Sequence, residues 1–125
     1  MMRTLVFALA ALAASLLAAP ASAQALLDGY VARLGPQDHF NSNGVRLDNA
    51  PAIIRQDRAN LYRFGKGDPE DDRDSFFHLP ENRAKMEAML RAGSITPSAE
   101  RRIVNGTPLI EVLIFEGAVA VTVLD

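Results

Sequence analysis

Asp57, His39 and His78 are the candidates for acid–base chemistry in this chain, and Asp38 stands directly before the first histidine. A carboxylate and an imidazole act together only if they meet within hydrogen-bond reach in a cleft. His39 falls in the turn-rich segment 35–44, where a histidine is most often a polar surface residue. These residues support one functional hypothesis, a small hydrolase that depends on carboxylate and histidine side chains.

The segment from Asp48 to Gly65 predicts the helix that must position Asp57. Asp48 and Asn49 are good N-cap residues, Pro51 suits a first turn, and Gly65 suits the position after a helix. At about 100° per residue, Asp57 falls in the middle of the apolar side. Because a buried carboxylate needs a partner or a proton, we expect a structural ion pair, for example with an arginine of another segment. The alternative is a catalytic or ligand-binding acid. The apolar side consists of Ala50, Ile53, Ile54, Leu61 and Phe64.

Two arginines and two phenylalanines are candidates for ligand binding, together with Asp38. Arg55 and Arg58 lie on the same predicted helix as Asp57 and could hold an anion. Phe76 and Phe77 follow an acidic segment, and we expect them to anchor that segment to the core, since each ring buries a large apolar area. The alternative is that the two rings form the floor of a ligand pocket.

The most acidic segment, residues 66–74, carries carboxylates at alternating positions, which is how a calcium loop of the EF-hand type begins. The comparison fails after that start. A loop beginning at Asp68 would need glycine where Arg73 stands and a bidentate acid where Leu79 stands. We therefore predict a solvated loop, no bound metal and no cofactor, with weak Ca²⁺ binding as the alternative. The residues that could supply it are Asp68, Glu70, Asp72 and Asp74.

Residues 1–23 have the organisation of a cleaved signal peptide. Arg3 gives a short positive start, residues 5–19 form an uncharged apolar run, and Ala21-Ser22-Ala23 is a small-residue cleavage pattern. The run is short for a membrane span. We expect cleavage after Ala23, a single small domain at residues 24–125, a periplasmic or secreted location, and no membrane contact after cleavage. An uncleaved membrane tether is the alternative.

The composition excludes several functional classes. The formal net charge of the chain is −2, which gives no reason to expect a nucleic-acid partner. The sequence contains no cysteine, which excludes disulfides, thiol nucleophiles and lipid attachment at an N-terminal cysteine. It also contains no phosphate-binding glycine loop, no GxSxG and no HExxH sequence.

Residues 109–125 give the strongest strand signal, two apolar runs on either side of Glu116-Gly117. A two-residue loop there pairs Ile110 with Val123 and leaves one face of the hairpin entirely β-branched. That face must be covered, and the apolar side of the helix that carries the buried acid is the best candidate. The other face is also largely apolar, so we expect cover on both sides, pairing with another strand, or a homodimer through the hairpin edge. The β-branched face consists of Ile110, Val112, Ile114, Val119, Val121 and Val123.

Together these patterns predict an α+β fold, in which three to four short helices pack on a C-terminal antiparallel β-hairpin. Apolar residues at three- and four-residue spacing predict the helices. Val45 to Leu47 is the candidate for a third short strand. Besides the helix around Asp57, the predicted helices span 25–34, 80–91 and 96–104.

These observations favour a non-enzymatic binding or interaction module over a hydrolase, because every feature named above is explicable as part of the fold. The partner would be an unknown protein or a small ligand. Convergence of Asp57, His39 and His78 in one concave pocket would favour the hydrolase, and their separation would favour the binding module.

Overall fold

The computed structural model describes residues 25–93 and 95–125. The predicted signal peptide and its cleavage site lie outside the described residues. The described chain is α+β, as the sequence predicts, with three α-helices and a three-stranded antiparallel sheet. Within it, none of the helices combines the length and the apolar character that crossing a membrane requires.

The three α-helices begin where the sequence predicts. The side chain of Asn49 accepts a hydrogen bond from the amide of Ala52 at 2.9 Å, and the hydroxyl of Thr96 accepts one from the amide of Ala99 at 3.2 Å. These side chains satisfy amides that have no partner within their own helix. The helices are α1 (Ala50–Tyr62), α2 (Pro80–Arg91) and α3 (Pro97–Asn105), and a one-turn 3-10 helix precedes them at Pro36–His39.

The predicted C-terminal hairpin is confirmed, including its register. Ile110 lies opposite Val123, and the pairing continues up to the two-residue loop. Gly117 in that loop has a φ of 79°, a left-handed conformation that glycine adopts without a steric cost. The sheet has the spatial order β1-β2-β3 and consists of β1 (Leu26–Arg33), β2 (Leu109–Phe115) and β3 (Ala118–Val123).

The prediction of a helix at residues 25–34 is wrong, because this segment forms β1. Its apolar residues fit helical spacing, but Tyr30 and Ala32 also fit the two-residue period of a strand, and both are buried on the core side. Pairing with the free edge of β2 satisfies the backbone of the segment. Gly29 permits this close approach, since a Cβ there would lie 3.3 Å from the carbonyl oxygen of Val112.

The third strand therefore comes from the start of the described chain and not from residues 45–47. In that region the structure has an isolated antiparallel bridge between Phe40 and Arg46. Of the alternatives expected for the hairpin, pairing with another strand is the one that the structure contains.

The core lies between the helices and one face of the sheet. The β-branched face predicted for the hairpin packs there: Ile110 and Val112 are fully inaccessible, while Val121 and Val123 are partly buried. Ile53 and Ile54 of α1 belong to the same hydrophobic cluster, and the helices with close contacts to β3 are α2 and α3. On the opposite face of β2, alternate side chains such as Leu113 are only half-buried.

The acidic segment 66–74 is mostly exposed, as expected, but it also holds the outer edge of β1. The amide of Val31 donates to Asp72 Oδ2 at 3.0 Å, and the carbonyl of Val31 accepts from the Asp72 amide at 2.8 Å. The amide of Arg33 donates to Asp71 Oδ1 at 2.9 Å. The segment is thus solvated, as predicted, and in addition its bonds to β1 protect an edge strand from other pairing partners.

Candidate functional site

A buried ion pair lies at the centre of the molecule, where α1 faces the acidic segment. Arg58 Nε donates to Asp57 Oδ2 at 2.8 Å, and both side chains are at most 1% exposed. Arg58 Nη1 also donates to Asp74 Oδ1 at 3.1 Å and to the carbonyl of Asp72 at 2.9 Å. The guanidinium carbon lies 3.8 Å from the ring centroid of Tyr30. The expected arginine partner of Asp57 is thus confirmed, but it is the next residue in the same helix.

Burial disfavours the charged form of both groups, but neighbouring groups outweigh this effect for Arg58 and not for Asp57. Burial alone would lower the pKa of Arg58, but Tyr30 and Asp57 raise it above its ordinary value. Burial raises the pKa of Asp57 well above its ordinary value, and Arg58 opposes that rise only in part. Arg58 therefore stays positively charged, and its position inside the core directs it to these carboxylates and not to a ligand at the surface.

Asp74 links the ion pair to the phenylalanine segment. Its Oδ1 accepts a hydrogen bond from the Tyr62 hydroxyl at 2.7 Å. Its Oδ2 accepts from the amides of Phe76 and Phe77 at 2.8 and 2.7 Å. Phe77 is 3% exposed and meets the Tyr30 ring edge-on at 6.1 Å between centroids. The prediction of a buried anchor is confirmed for Phe77, while Phe76 packs against the core but stays partly exposed.

Three carboxylates from separate segments form what we call the carboxylate cluster: Asp38, Asp57 and Asp68. One oxygen from each lies within 4.8 Å of the other two. Asp38 belongs to the 3-10 helix and is 1% exposed. It is oriented by the Gly35 amide at 2.9 Å and by Asn60 Nδ2 at 2.7 Å.

The carboxylate cluster is electrostatically crowded. Burial raises the pKa of Asp38 to about 6, and the charges of Asp68 and Asp71 add to the rise. The charges of Asp38 and Asp71 likewise add to the raised pKa of Asp57. Burial also raises the pKa of Asp71. The ionised forms of Asp38 and Asp57 are therefore disfavoured by the negative charges beside them.

Two buried side-chain atoms have no hydrogen-bond partner among the described residues, Asp57 Oδ1 and Arg58 Nη2. Buried polar atoms are normally paired, and an exception calls for a physical account. Oxygen ligands from carboxylates suit hard cations such as Ca²⁺ and Mg²⁺. The cluster therefore has the donor set of a cation site.

The two histidines occupy different environments. The expectation of a surface position for His39 is wrong, because the residue is 5% exposed. Its Nδ1 and Nε2 lie 2.8 Å from the carbonyl oxygens of Gly35 and Ile103. His78 is exposed and meets the Tyr62 ring edge-on at 6.4 Å. Among the described residues, no hydrogen bond or ion pair joins either ring to Asp57.

A second polar feature is what we call the arginine pocket, a cavity of about 320 Å³ between α1 and α2. Arg55, Arg63 and Arg83 line it, together with Glu87. Glu87 Oε1 accepts from Arg55 at 2.7 Å, and Arg83 Nη1 donates to the carbonyl of Phe77 at 2.9 Å. Burial lowers the pKa of Arg83, and the charges of Arg55 and Arg63 lower it further. The pocket therefore carries more positive charge than its acid balances.

A larger cavity of about 590 Å³ lies beside the start of β2 and is lined by Arg33, Arg101 and Arg102. Its positive charge is better balanced, because Arg33 pairs with Asp125 at 2.9 Å and with Glu70 at 2.6 Å. It is therefore a weaker candidate for an anionic ligand than the arginine pocket.

Sequence reasoning named Asp57, Arg58, Asp38 and Asp68 as separate candidates but did not predict that they lie together. Helical phase alone could not place Asp38 and Asp68 beside Asp57, since they come from other segments. Arg63 and Arg83 were also missed as pocket residues. The usable signal was that arginines recur on one side of α1 and at the border of the apolar face of α2.

The chain matches no protein-family model, no curated protein and no solved structure.

Proposed function

We propose that this chain is a small exported binding module without enzymatic activity and that it holds an oxyanion, a carboxylate or phosphate group, in the arginine pocket. The observation that carries the proposal is that Arg55, Arg63 and Arg83 line one cavity in which Glu87 is the acidic lining residue. The excess positive charge there favours a negatively charged ligand.

The chemistry of the pocket supports an oxyanion. Guanidinium groups match carboxylate and phosphate oxygens with paired donors and remain charged at any physiological pH. An anion would relieve the repulsion that lowers the pKa of Arg83. The volume of about 320 Å³ falls at the lower end of the range for small-molecule sites, so the ligand would be small or would insert only one charged group.

Hydrolysis has less support. A hydrolase would need His39 or His78 to move a proton near Asp57. Both ring nitrogens of His39 already face backbone carbonyl oxygens, and His78 lies beside Tyr62. A protein partner is a further form of the same binding role, and a homodimer through the hairpin edge remains a prediction, with β3 as the outer strand.

The proposal is tested by calorimetric titration of the purified protein with inorganic phosphate and with citrate at low ionic strength, where screening is weak. We expect binding that Arg63→Gln weakens about tenfold or more, since a hydrogen bond to a charged group contributes about 1.5–3 kcal/mol. Lys85→Gln is the matched control, because Lys85 is an exposed cation of α2. Absence of binding, or equal loss in the control, would contradict the pocket assignment.

The same preparations test the alternative. Incubation with generic ester and phosphate-ester substrates should give no turnover above buffer. Turnover that disappears in Asp57→Asn, while that variant keeps its fold by circular dichroism, would favour the hydrolase.

A further inference from the structure

Asp57 Oδ1 is a carboxylate oxygen inside the molecule that has no hydrogen-bond partner among the described residues. Its residue is 1% exposed. An ionised carboxylate in that position is costly unless a cation or donor compensates it. Arg58 compensates Oδ2 at 2.8 Å but is also bonded to Asp74, so one guanidinium serves two buried acids.

Apart from Arg58, the charged groups around the Asp57 carboxylate are negative. Asp38 and Asp68 each bring an oxygen within 4.8 Å of an oxygen of Asp57, and Asp71 acts on the same groups. A protein-only arrangement gains nothing from placing these carboxylates together, since each additional negative charge destabilises the others. The arrangement becomes favourable when a cation lies between them.

We propose that Asp38, Asp57 and Asp68 form a binding site for one Ca²⁺ ion, with Asp57 Oδ1 as a direct ligand. The carboxylate cluster offers only oxygen atoms, which hard cations prefer. Oxygen ligands on opposite sides of Ca²⁺ stand about 4.6–5.2 Å apart, since each Ca–O distance is about 2.3–2.6 Å. The spacing of at most 4.8 Å between the three oxygens fits around one such ion.

Two of the three carboxylates also accept hydrogen bonds from neighbouring groups of the protein. Asp38 accepts from the Gly35 amide and Asn60, and Gln37 Nε2 donates to Asp68 Oδ2 at 3.1 Å. Hydrogen bonds to the ligating groups fix their orientation and are a normal part of metal sites. Each oxygen of a carboxylate has more than one lone pair, so these donors leave room for coordination.

The proposed site differs from a calcium loop on the acidic segment. Of the four acids there that the sequence analysis names as possible calcium ligands, only Asp68 takes part. Glu70 pairs with Arg33, Asp72 accepts from the backbone of β1, and Asp74 binds Arg58. The ion would connect the 3-10 helix, α1 and the acidic segment, so its binding would stabilise the fold and is independent of the arginine pocket.

The test is a thermal melt of the purified protein in chelator, then with CaCl₂, with MgCl₂, or with NaCl of equal ionic strength. We expect Ca²⁺ to raise the melting temperature by about 5 °C or more at saturation, since a ligand that binds only the folded state stabilises it. Mg²⁺ should do much less, because it requires shorter distances and keeps its water.

Two variants make the outcome specific. Asp57→Asn removes one charge from the crowded cluster, so we expect it to melt above the wild type in chelator and to lose the response to Ca²⁺. Asp68→Asn, at a half-buried position, should fold and lose most of the response. Glu116→Gln is the control, since it removes an exposed charge at the hairpin loop and should respond as the wild type does.

The proposal fails if Ca²⁺ raises the melting temperature of the wild type no more than NaCl does, or if Mg²⁺ is as effective as Ca²⁺. It also fails if both aspartate variants keep the full Ca²⁺ response, because the ion would then bind elsewhere. None of these outcomes bears on the arginine pocket, whose test uses anions.

Discussion

Arg58→Met is the substitution that separates a central role for the buried ion pair from a peripheral one. Methionine keeps an unbranched apolar stem like that of arginine but is shorter and lacks its charge and its donors. In the variant, Asp57 and Asp74 would lose their common cation, and the carbonyl of Asp72 would lose its donor. The Tyr30 ring would lose the guanidinium that lies 3.8 Å from its centroid.

The expected loss of stability is large. Removing one partner of a buried ion pair costs about 3–5 kcal/mol, since the remaining charge is left uncompensated. Because Arg58 is 0% exposed, solvent does not replace its contacts. A domain of about 100 residues loses about 4–8 °C of melting temperature per kcal/mol, which gives a decrease of about 12–40 °C. A loss of about 3–5 kcal/mol is a large part of the total stability of about 5–15 kcal/mol that such domains have.

The assay is urea denaturation followed by circular dichroism, with a thermal melt alongside. Arg55→Met is the matched control: Arg55 lies on the same helix and pairs with Glu87 at 2.7 Å, but its side chain is 44% exposed, and exposed pairs contribute about 0–1 kcal/mol. The double variant Arg58→Met with Asp57→Asn should recover part of the loss, because it removes one of the orphaned charges. If Arg58→Met loses less than about 1 kcal/mol, or no more than Arg55→Met, the reasoning about the buried pair is refuted.

Three further predictions concern the termini, the core and the response to acid. Mass spectrometry of protein from the native host should find an N-terminus at or near Gln24, and recovery of an uncleaved chain would contradict export with cleavage. Phe77→Ala should cost about 3–5 kcal/mol in urea denaturation and Phe76→Ala clearly less, so equal losses would contradict the difference in their burial. Hydrogen bonds from the Ser75 hydroxyl and amide lower the pKa of Asp28 below its ordinary value near 3.8. The stabilisation from Asp28 is therefore present above that value and is lost as the pH falls through the lower folded-state pKa. Ser75→Ala should weaken this acid resistance, and identical acid titrations of variant and wild type would show that the bond contributes nothing.

The elements with strong local patterns were predictable. α1 has an N-cap at Asn49, a proline in its first turn and buried isoleucines at 53 and 54, so the residues of one segment specify its start and the first part of its buried face. The predicted apolar side fails further on, since Phe64 lies beyond the helix and is exposed. The hairpin alternates with period two on both sides of Gly117, which fixes the faces whatever the turn geometry. In both elements the determining interactions connect residues near one another in sequence.

β1 was not predictable in the same way. Its apolar residues fit helical spacing as well as strand spacing, and Gly29 weakens either element. The segment is a strand because β2 has a free edge and because the acidic segment 66–74 covers the outer side through Asp71 and Asp72. Those partners lie far away in sequence, so the pattern of residues within β1 cannot predict the pairing.

The sequence by itself determined that Asp57 is buried on α1 and needs compensation, because helical phase and the cost of burying a charge follow from residues 48–65 alone. From that reasoning a structural role implies that Asp57→Asn destabilises the fold. Only the tertiary structure decided that the nearest cation is Arg58 and that Asp38 and Asp68 lie close to the same carboxylate. The calcium proposal therefore predicts the opposite sign, a stabilising Asp57→Asn in the absence of metal. The physical reason is that the direction of a long arginine side chain depends on the groups that pack around it in the folded protein. Electrostatic crowding, in turn, depends on distances in space that only the assembled helices and loops define.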